Sequence, residues 1–124
     1  MKFPIALQLY SVRDDIAADF EGTLKKVKAM GYDGVEFAGL YGKSAAEVKK
    51  MCDETGLIPI SAHVPYGELL KGDETFKIYA EIGCKYIVIP WINGEYLAGG
   101  EKNAEFNENV RKFGELANAN GMKL

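Results

Sequence analysis

The sequence predicts an α/β protein of four successive strand–helix units, the arrangement of one half of an eight-stranded (βα)8 barrel with parallel strands and outer helices. Apolar runs of strand length alternate with segments in which apolar residues recur every three or four positions. Each helical segment ends at a glycine, namely Gly31, Gly56, Gly83 and Gly121. Strict alternation with short connections implies a parallel sheet with right-handed crossovers.

The first unit begins with a strand-like run over residues 5–10. Because side chains alternate along a strand, we expect Gln8 and Tyr10 to share one face. Asp19 precedes a segment with helical apolar spacing, which predicts a helix that Asp19 caps and Gly31 closes.

The second unit contains a short apolar strand, residues 34–37, that is interrupted by Glu36. An acid in a buried strand is costly unless it is paired or hydrated. Glu36 is therefore expected either to face a pocket or to form a salt bridge with a neighbour such as Arg13. Ser44 and Glu47 have the spacing of a capping box, which predicts the start of the next helix.

The third unit carries the only histidine of the chain. The apolar run 57–62 predicts a strand, with Pro59 tolerated near its start, and His63 follows at its C-terminal end. Parallel α/β sheets place their chemistry at that end. A backbone carbonyl could satisfy the ring, but the position favours a pocket role, with substrate hydrogen bonding ahead of metal ligation.

The fourth unit starts with a helix that Asp73 is expected to cap. The run 86–90 is the most β-branched in the chain, which predicts a central strand buried on both faces. Trp91, at its exit, is expected either to stack on a ligand or to join the core. The polar loop 95–102 should be mobile or ligand-covering. After a last helix, residues 122–124 resemble the start of another strand.

Length and composition limit the classes of function. The chain has 124 residues, about half of the roughly 250 usual for a (βα)8 barrel, so residues 1–124 are expected to form one half-barrel unit, a fragment. Its net charge of -3 disfavours a nucleic-acid partner, and no apolar run is long enough for a membrane. Cys52 and Cys84 match no metal spacing and lack a basic partner, which indicates reduced cytoplasmic thiols rather than a nucleophile.

An open nucleotide-binding sheet is disfavoured because no GxGxxG or GxxxxGK turn follows the first strand. The motifs at the strands resemble the first four strands of the xylose-isomerase-like TIM barrels. The superfamily includes sugar phosphate isomerases and epimerases, inosose dehydratases and DNA repair enzymes of the endonuclease IV type. The segments that carry the resemblance are Gln8-Leu-Tyr-Ser-Val-Arg13, Gly31-Tyr-Asp-Gly-Val-Glu-Phe37, Ser61-Ala-His-Val-Pro65 and Gly83-Cys-Lys-Tyr-Ile-Val-Ile-Pro90.

The resemblance implies roles for two residues. His63 matches a histidine that is a zinc ligand in the repair enzymes and lines the substrate pocket in the sugar enzymes, and Glu36 matches an acid turned toward that pocket. The metal ligands of the epimerases come largely from the second half of the barrel. The catalytic acid and base are therefore expected beyond Leu124. The repair enzymes carry another histidine after the fourth strand, where this chain has Pro90 and Trp91.

The resemblance implies part of a sugar or sugar phosphate isomerase or epimerase that moves a proton at a carbon next to a carbonyl. A divalent cation (Mn, Mg, Co or Zn) is expected in a complete barrel, and none bound tightly by this chain, which is expected to be inactive alone. The expected substrate-binding residues are His63, Glu36, Gln8, Tyr10 and Trp91. The alternatives are a non-catalytic, truncated or engineered half-barrel that self-associates as a homodimer, a repair endonuclease, and an inosose dehydratase-like lyase.

Overall fold

The computed structural model describes residues 3–124, which form a parallel four-stranded sheet with its helices on one side. The strands are β1 (Ala6–Gln8), β2 (Gly34–Ala38), β3 (Ile58–His63) and β4 (Tyr86–Val88), and they pair in chain order. The helices are α1 (Arg13–Ala18), α2 (Phe20–Ala29), α3 (Ala45–Thr55), α4 (Tyr66–Leu69), α5 (Asp73–Ile82) and α6 (Asn103–Ala119). The predicted succession of strand–helix units is confirmed. Within residues 3–124, no helix has both the length and the apolar character needed to cross a bilayer.

The predicted helix signals are largely found in place. The Asp19 carboxylate accepts a hydrogen bond from the Gly22 amide at 2.9 Å at the start of α2. The Ser44 hydroxyl accepts from the Glu47 amide at 3.2 Å, and the Ser44 amide donates to the Glu47 carboxylate at 2.7 Å, so the capping box is complete. The cap predicted at Asp73 is wrong. Gly72 holds that position, and the Asp73 carboxylate pairs with Lys77 at 2.6 Å instead.

The first strand is shorter than predicted. After Gln8 the chain turns into a 3-10 segment over Leu9–Val12 and then into α1, an element that the sequence analysis did not predict. Leu9 and Ile16 are both buried, so this segment contributes to the core on the helix side of the sheet. Tyr10 therefore does not share a strand face with Gln8 by alternation.

The two faces of the sheet differ in what covers them. Val35, Phe37 and Ala62 point toward the helices and are fully buried. The opposite face carries the row Gln8, Glu36 and Ser61 and, in register with them, Tyr86, which is 48% exposed. The prediction that the fourth strand is buried on both faces is wrong, because the helices pack on one side only and no part of residues 3–124 covers the other.

The far edge of the sheet holds the last residues of the chain. Lys123 forms a parallel bridge with Tyr86, its amide donates to the Lys85 carbonyl at 2.9 Å, and its carbonyl accepts from the Ile87 amide at 2.8 Å. The start of a fifth strand predicted at residues 122–124 is thus confirmed.

Candidate functional site

The candidate site lies at the C-terminal ends of the first three strands. Gln8, Glu36 and Ser61 are partners in the register of β1, β2 and β3, so their side chains form one row on the open face of the sheet. His63 stands two residues beyond Ser61 on the same face of β3. We call these four residues the polar wall.

Hydrogen bonds join the polar wall into one chain. The Gln8 Nε2 lies 3.0 Å from Nδ1 of His63, and His63 Nε2 lies 3.1 Å from Oε1 of Glu36. The Ser61 hydroxyl donates to Oε2 of Glu36. Every member is thereby held by its neighbour, so the imidazole and the carboxylate are oriented before any ligand arrives.

The partners define the tautomer of the neutral His63 ring. An amide nitrogen has hydrogens and no acceptor capacity, so Nδ1 accepts from Gln8 Nε2. The ring hydrogen then resides on Nε2 and is donated to Glu36. His63 is therefore satisfied by two side chains and not by a backbone carbonyl.

Arg13, the other expected partner of Glu36, is engaged elsewhere. Its Nη1 donates to the Tyr10 carbonyl at 3.2 Å, and its guanidinium lies 4.7 Å from the centre of the Tyr10 ring. The salt bridge considered from the sequence does not form. Glu36 is paired with His63 instead, and its side chain is 24% exposed.

The polar wall borders a cleft of about 500 Å3, which we call the His63 cleft. This volume exceeds what a monosaccharide needs, and the mixture of apolar walls with a few polar groups is typical of small-molecule sites. Glu36 contacts His63, and Ser61 contacts Glu36, but neither of the two is among the residues that line the cleft. The lining residues are Gln8, Tyr10, Ala38, Gly39, His63, Pro65 and Pro90.

Trp91 lies outside the His63 cleft. It borders a neighbouring depression of about 280 Å3, with Pro65 lining both spaces. The structure therefore brings together Gln8, Tyr10, Glu36 and His63, four of the five predicted binding residues, and places Trp91 next to them.

Ser61 belongs to the site although the sequence analysis assigned it no role. The signal was present, because Ser61 precedes His63 by two positions and strand side chains at that spacing share a face. What could not be found from one sequence is the register that sets Ser61 opposite Glu36.

The cysteines take no part in the site. Burial raises the pKa of the Cys52 thiol to about 11 and that of the Cys84 thiol to about 12. Both thiols are therefore protonated near neutral pH, and a thiolate nucleophile is absent.

The residues present do not complete a metal site. Glu36 and His63 offer two donor groups, and the acceptor nitrogen of His63 is already used by Gln8. Across residues 3–124, no three His, Cys, Asp or Glu side chains come together in a way that could hold a metal ion. We derive no chemical step through a metal on this chain.

No protein-family model matches the chain, and no curated protein matches it. Solved structures do. A sugar phosphate isomerase/epimerase from Parabacteroides distasonis ATCC 8503 superposes with a TM-score of 0.69 at 24% identity, over 96% of this chain and 49% of that one. A second structure described in the same words, from the same organism, gives 0.68 at 25% identity, over 98% and 52%.

A fusion protein of a xylose isomerase-like TIM barrel with 4-hydroxyphenylpyruvate dioxygenase gives a TM-score of 0.65 at 17% identity, over 98% of this chain and 21% of that one. The chain spans about half the length of the two isomerase/epimerase structures. These matches confirm the predicted fold, half of a TIM barrel.

Proposed function

We propose that this chain supplies one wall of a sugar or sugar phosphate isomerase or epimerase site, in which Gln8 and His63 bind sugar hydroxyl groups and Glu36 holds His63 in position. The observation that carries the proposal is the hydrogen-bonded polar wall at the C-terminal ends of three parallel strands, where barrel enzymes bind substrate. The likeness to structures described as sugar phosphate isomerase/epimerase supports it.

The polar wall has the donor and acceptor pattern that a polyol requires. Gln8 gives one amide hydrogen to His63 and retains a second hydrogen and the amide oxygen for ligand. A side-chain amide that offers one donor and one acceptor matches a pair of adjacent hydroxyl groups. The lining residues include no lysine or arginine, so within residues 3–124 the His63 cleft is suited to the hydroxyl part of a sugar rather than to a phosphate.

Glu36 and Ser61 act by positioning. The carboxylate accepts from both His63 and Ser61, which fixes its plane and holds the imidazole against rotation. We assign the acid and base of the reaction to neither residue. We propose instead that the chain alone is inactive and that a divalent cation, which would polarise the sugar carbonyl, belongs to a complete barrel.

A turnover assay tests this proposal. The chain is incubated with D-fructose and D-fructose 6-phosphate, with and without MnCl2, and interconversion products are followed by NMR. We expect saturation transfer from protein to sugar without conversion. Metal-stimulated turnover would contradict the proposed inactivity. The absence of saturation transfer to both sugars would contradict the proposal that the polar wall binds sugar.

A second candidate, a non-catalytic half-barrel that self-associates, is favoured by the uncovered face. The accessible surface is 7304 Å2, whereas compact monomers of this mass expose about 6,600 Å2. The excess, about 700 Å2, is close to one partner's share of a standard interface, about 800 Å2. Light scattering after gel filtration tests it, and a monomer at micromolar to millimolar concentration would contradict it.

A further inference from the structure

A second concave surface lies beside the His63 cleft, and the proposed function does not use it. This aromatic hollow, about 280 Å3, sits on the loops that follow β3 and β4. Two of its apolar side chains are largely exposed to solvent, Trp91 at 73% and Leu70 at 51%. The lining residues are Pro65, Tyr66, Gly67, Leu70, Trp91, Ile92, Asn93 and Tyr96.

The floor of the aromatic hollow is fixed. The Tyr66 ring centre lies 5.0 Å from that of Tyr96 and 5.2 Å from that of Phe106, and Tyr66 Oη accepts from Asn109 Nδ2 at 2.8 Å. The loop that carries Tyr96 is fastened to α6, because Asn103 Nδ2 donates to the Tyr96 carbonyl at 2.8 Å. A ligand that enters the hollow therefore meets a formed surface, and little ordering cost opposes binding.

The aromatic hollow adjoins the His63 cleft. Pro65 lines both spaces, and Pro90 of the cleft is followed directly by Trp91 of the hollow. A ligand held at His63 can therefore extend over Pro65 and reach Trp91. This adjacency favours a small molecule that bridges the two spaces over a separate macromolecular partner.

We infer that the aromatic hollow is a subsite for an apolar substituent, an aryl or alkyl group, carried by the sugar that the His63 cleft binds. The inference rests on the proposed function for the position of the sugar. Trp91 and Leu70 lose water on binding, and removal of roughly 55 Å2 of apolar surface from water corresponds to about tenfold in affinity. The ligand class is thus a sugar that carries an apolar substituent on a hydroxyl group away from its carbonyl. A glycoside, which has no free carbonyl, serves as an unreactive probe of binding.

The test uses Trp91 as its own probe, since it is the only tryptophan of the chain. Its emission, excited at wavelengths where benzyl groups do not absorb, is followed during titration with methyl β-D-glucopyranoside, benzyl β-D-glucopyranoside and benzyl alcohol. We expect the benzyl glucoside to bind about tenfold more tightly than the methyl glucoside and to shift the emission to the blue. Equal affinities, or an unchanged emission at saturating benzyl glucoside, would overturn the subsite.

Two leucines of similar exposure give a matched pair of variants. Leu70 lines the aromatic hollow, whereas Leu97, at 54% exposure, does not. L70A should reduce the preference for the benzyl glucoside at least threefold, and L97A should leave it unchanged. An equal effect of both variants would overturn the inference.

Two further measurements separate the subsite from other causes. With His63→Gln, binding of methyl glucoside should weaken, whereas the response to benzyl alcohol should persist. Unchanged methyl glucoside binding would refute the cleft and spare the subsite, and loss of the benzyl alcohol response would overturn the subsite. A blue shift that appears with rising protein concentration and no ligand would show that a second copy covers Trp91, and it would overturn the inference.

Discussion

The amide nitrogen of Gln8 lies 3.0 Å from Nδ1 of His63 although β2 separates their strands. Neighbouring strands are about 4.8 Å apart, so the backbones of β1 and β3 are roughly twice that distance from each other. Side chains from alternate strands meet in this way when the sheet curves inward, as in the layers of a closed barrel. The contact therefore indicates barrel curvature in a sheet whose open face nothing in residues 3–124 covers.

Replacement of Gln8 by Leu should remove the hydrogen bond at Nδ1 of His63, while Glu36 keeps the ring hydrogen on Nε2. Leucine has a side-chain volume close to that of glutamine, but it lacks the donor that binds Nδ1 of His63. Long-range 1H–15N spectra should show the ring hydrogen on Nε2 in both proteins, with the Nδ1 resonance shifted in Q8L because it has lost its donor. A wild-type ring with its hydrogen on Nδ1 would contradict the assigned direction of the bond.

Replacement of Ser61 by Ala should destabilise the fold by about 1 to 2 kcal/mol. The serine is buried and donates to a carboxylate, and hydrogen bonds to charged groups contribute more than neutral ones. Urea unfolding measures the change, and Ser11→Ala, at an exposed position, serves as control. If the two variants cost the same, Ser61 does not support Glu36.

Two glycines should respond to alanine with opposite signs. A Cβ on Gly34 would stand 2.7 Å from the Ile58 carbonyl oxygen and 2.9 Å from Ile60 Cδ1, so G34A must separate β2 from β3 and should cost about 2 to 4 kcal/mol. Gly114 lies within α6 with open space around it, and G114A should stabilise by up to about 1 kcal/mol. Thermal unfolding measures both changes. If G34A leaves the free energy of unfolding unchanged, the register between β2 and β3 is not the one described here.

The two thiols should stay unreactive until the protein unfolds. Burial raises the pKa of Cys52 to about 11 and of Cys84 to about 12, so at pH 8 the folded chain should label with Ellman's reagent far more slowly than the urea-unfolded chain.

The same pKa values give a pH dependence of stability. The unfolded thiols lose protons from about pH 8.5 upward whereas the folded ones keep theirs, so the free energy of unfolding should fall between about pH 8.5 and pH 11. Rapid labelling of the native chain at pH 8 would contradict both expectations.

Local signals in the sequence predicted much of the fold. Asp19, Ser44 and the four helix-ending glycines act through neighbours in the chain, and their predicted positions match the structure. The turn at Leu9 and the open side of β4 were not predicted, because both depend on what the tertiary structure packs against them.

The candidate site was likewise predictable only in part from the sequence. His63 and Glu36 were identifiable as polar residues in apolar strands. Their pairing, the contribution of Ser61 and the separation of Trp91 from the His63 cleft depend on register and on loop paths, which residue spacing does not specify.

The most direct test of the polar wall is a sugar titration followed by 1H–15N NMR, with D-fructose as ligand and Glu36→Gln compared with Glu81→Gln, a change at an exposed helix position. The account predicts perturbation of the Gln8 side-chain amide and the His63 ring in the wild type, at least tenfold weaker binding for E36Q, and unchanged binding for E81Q. Shifts confined to other residues, or equal binding by E36Q and the wild type, would contradict it.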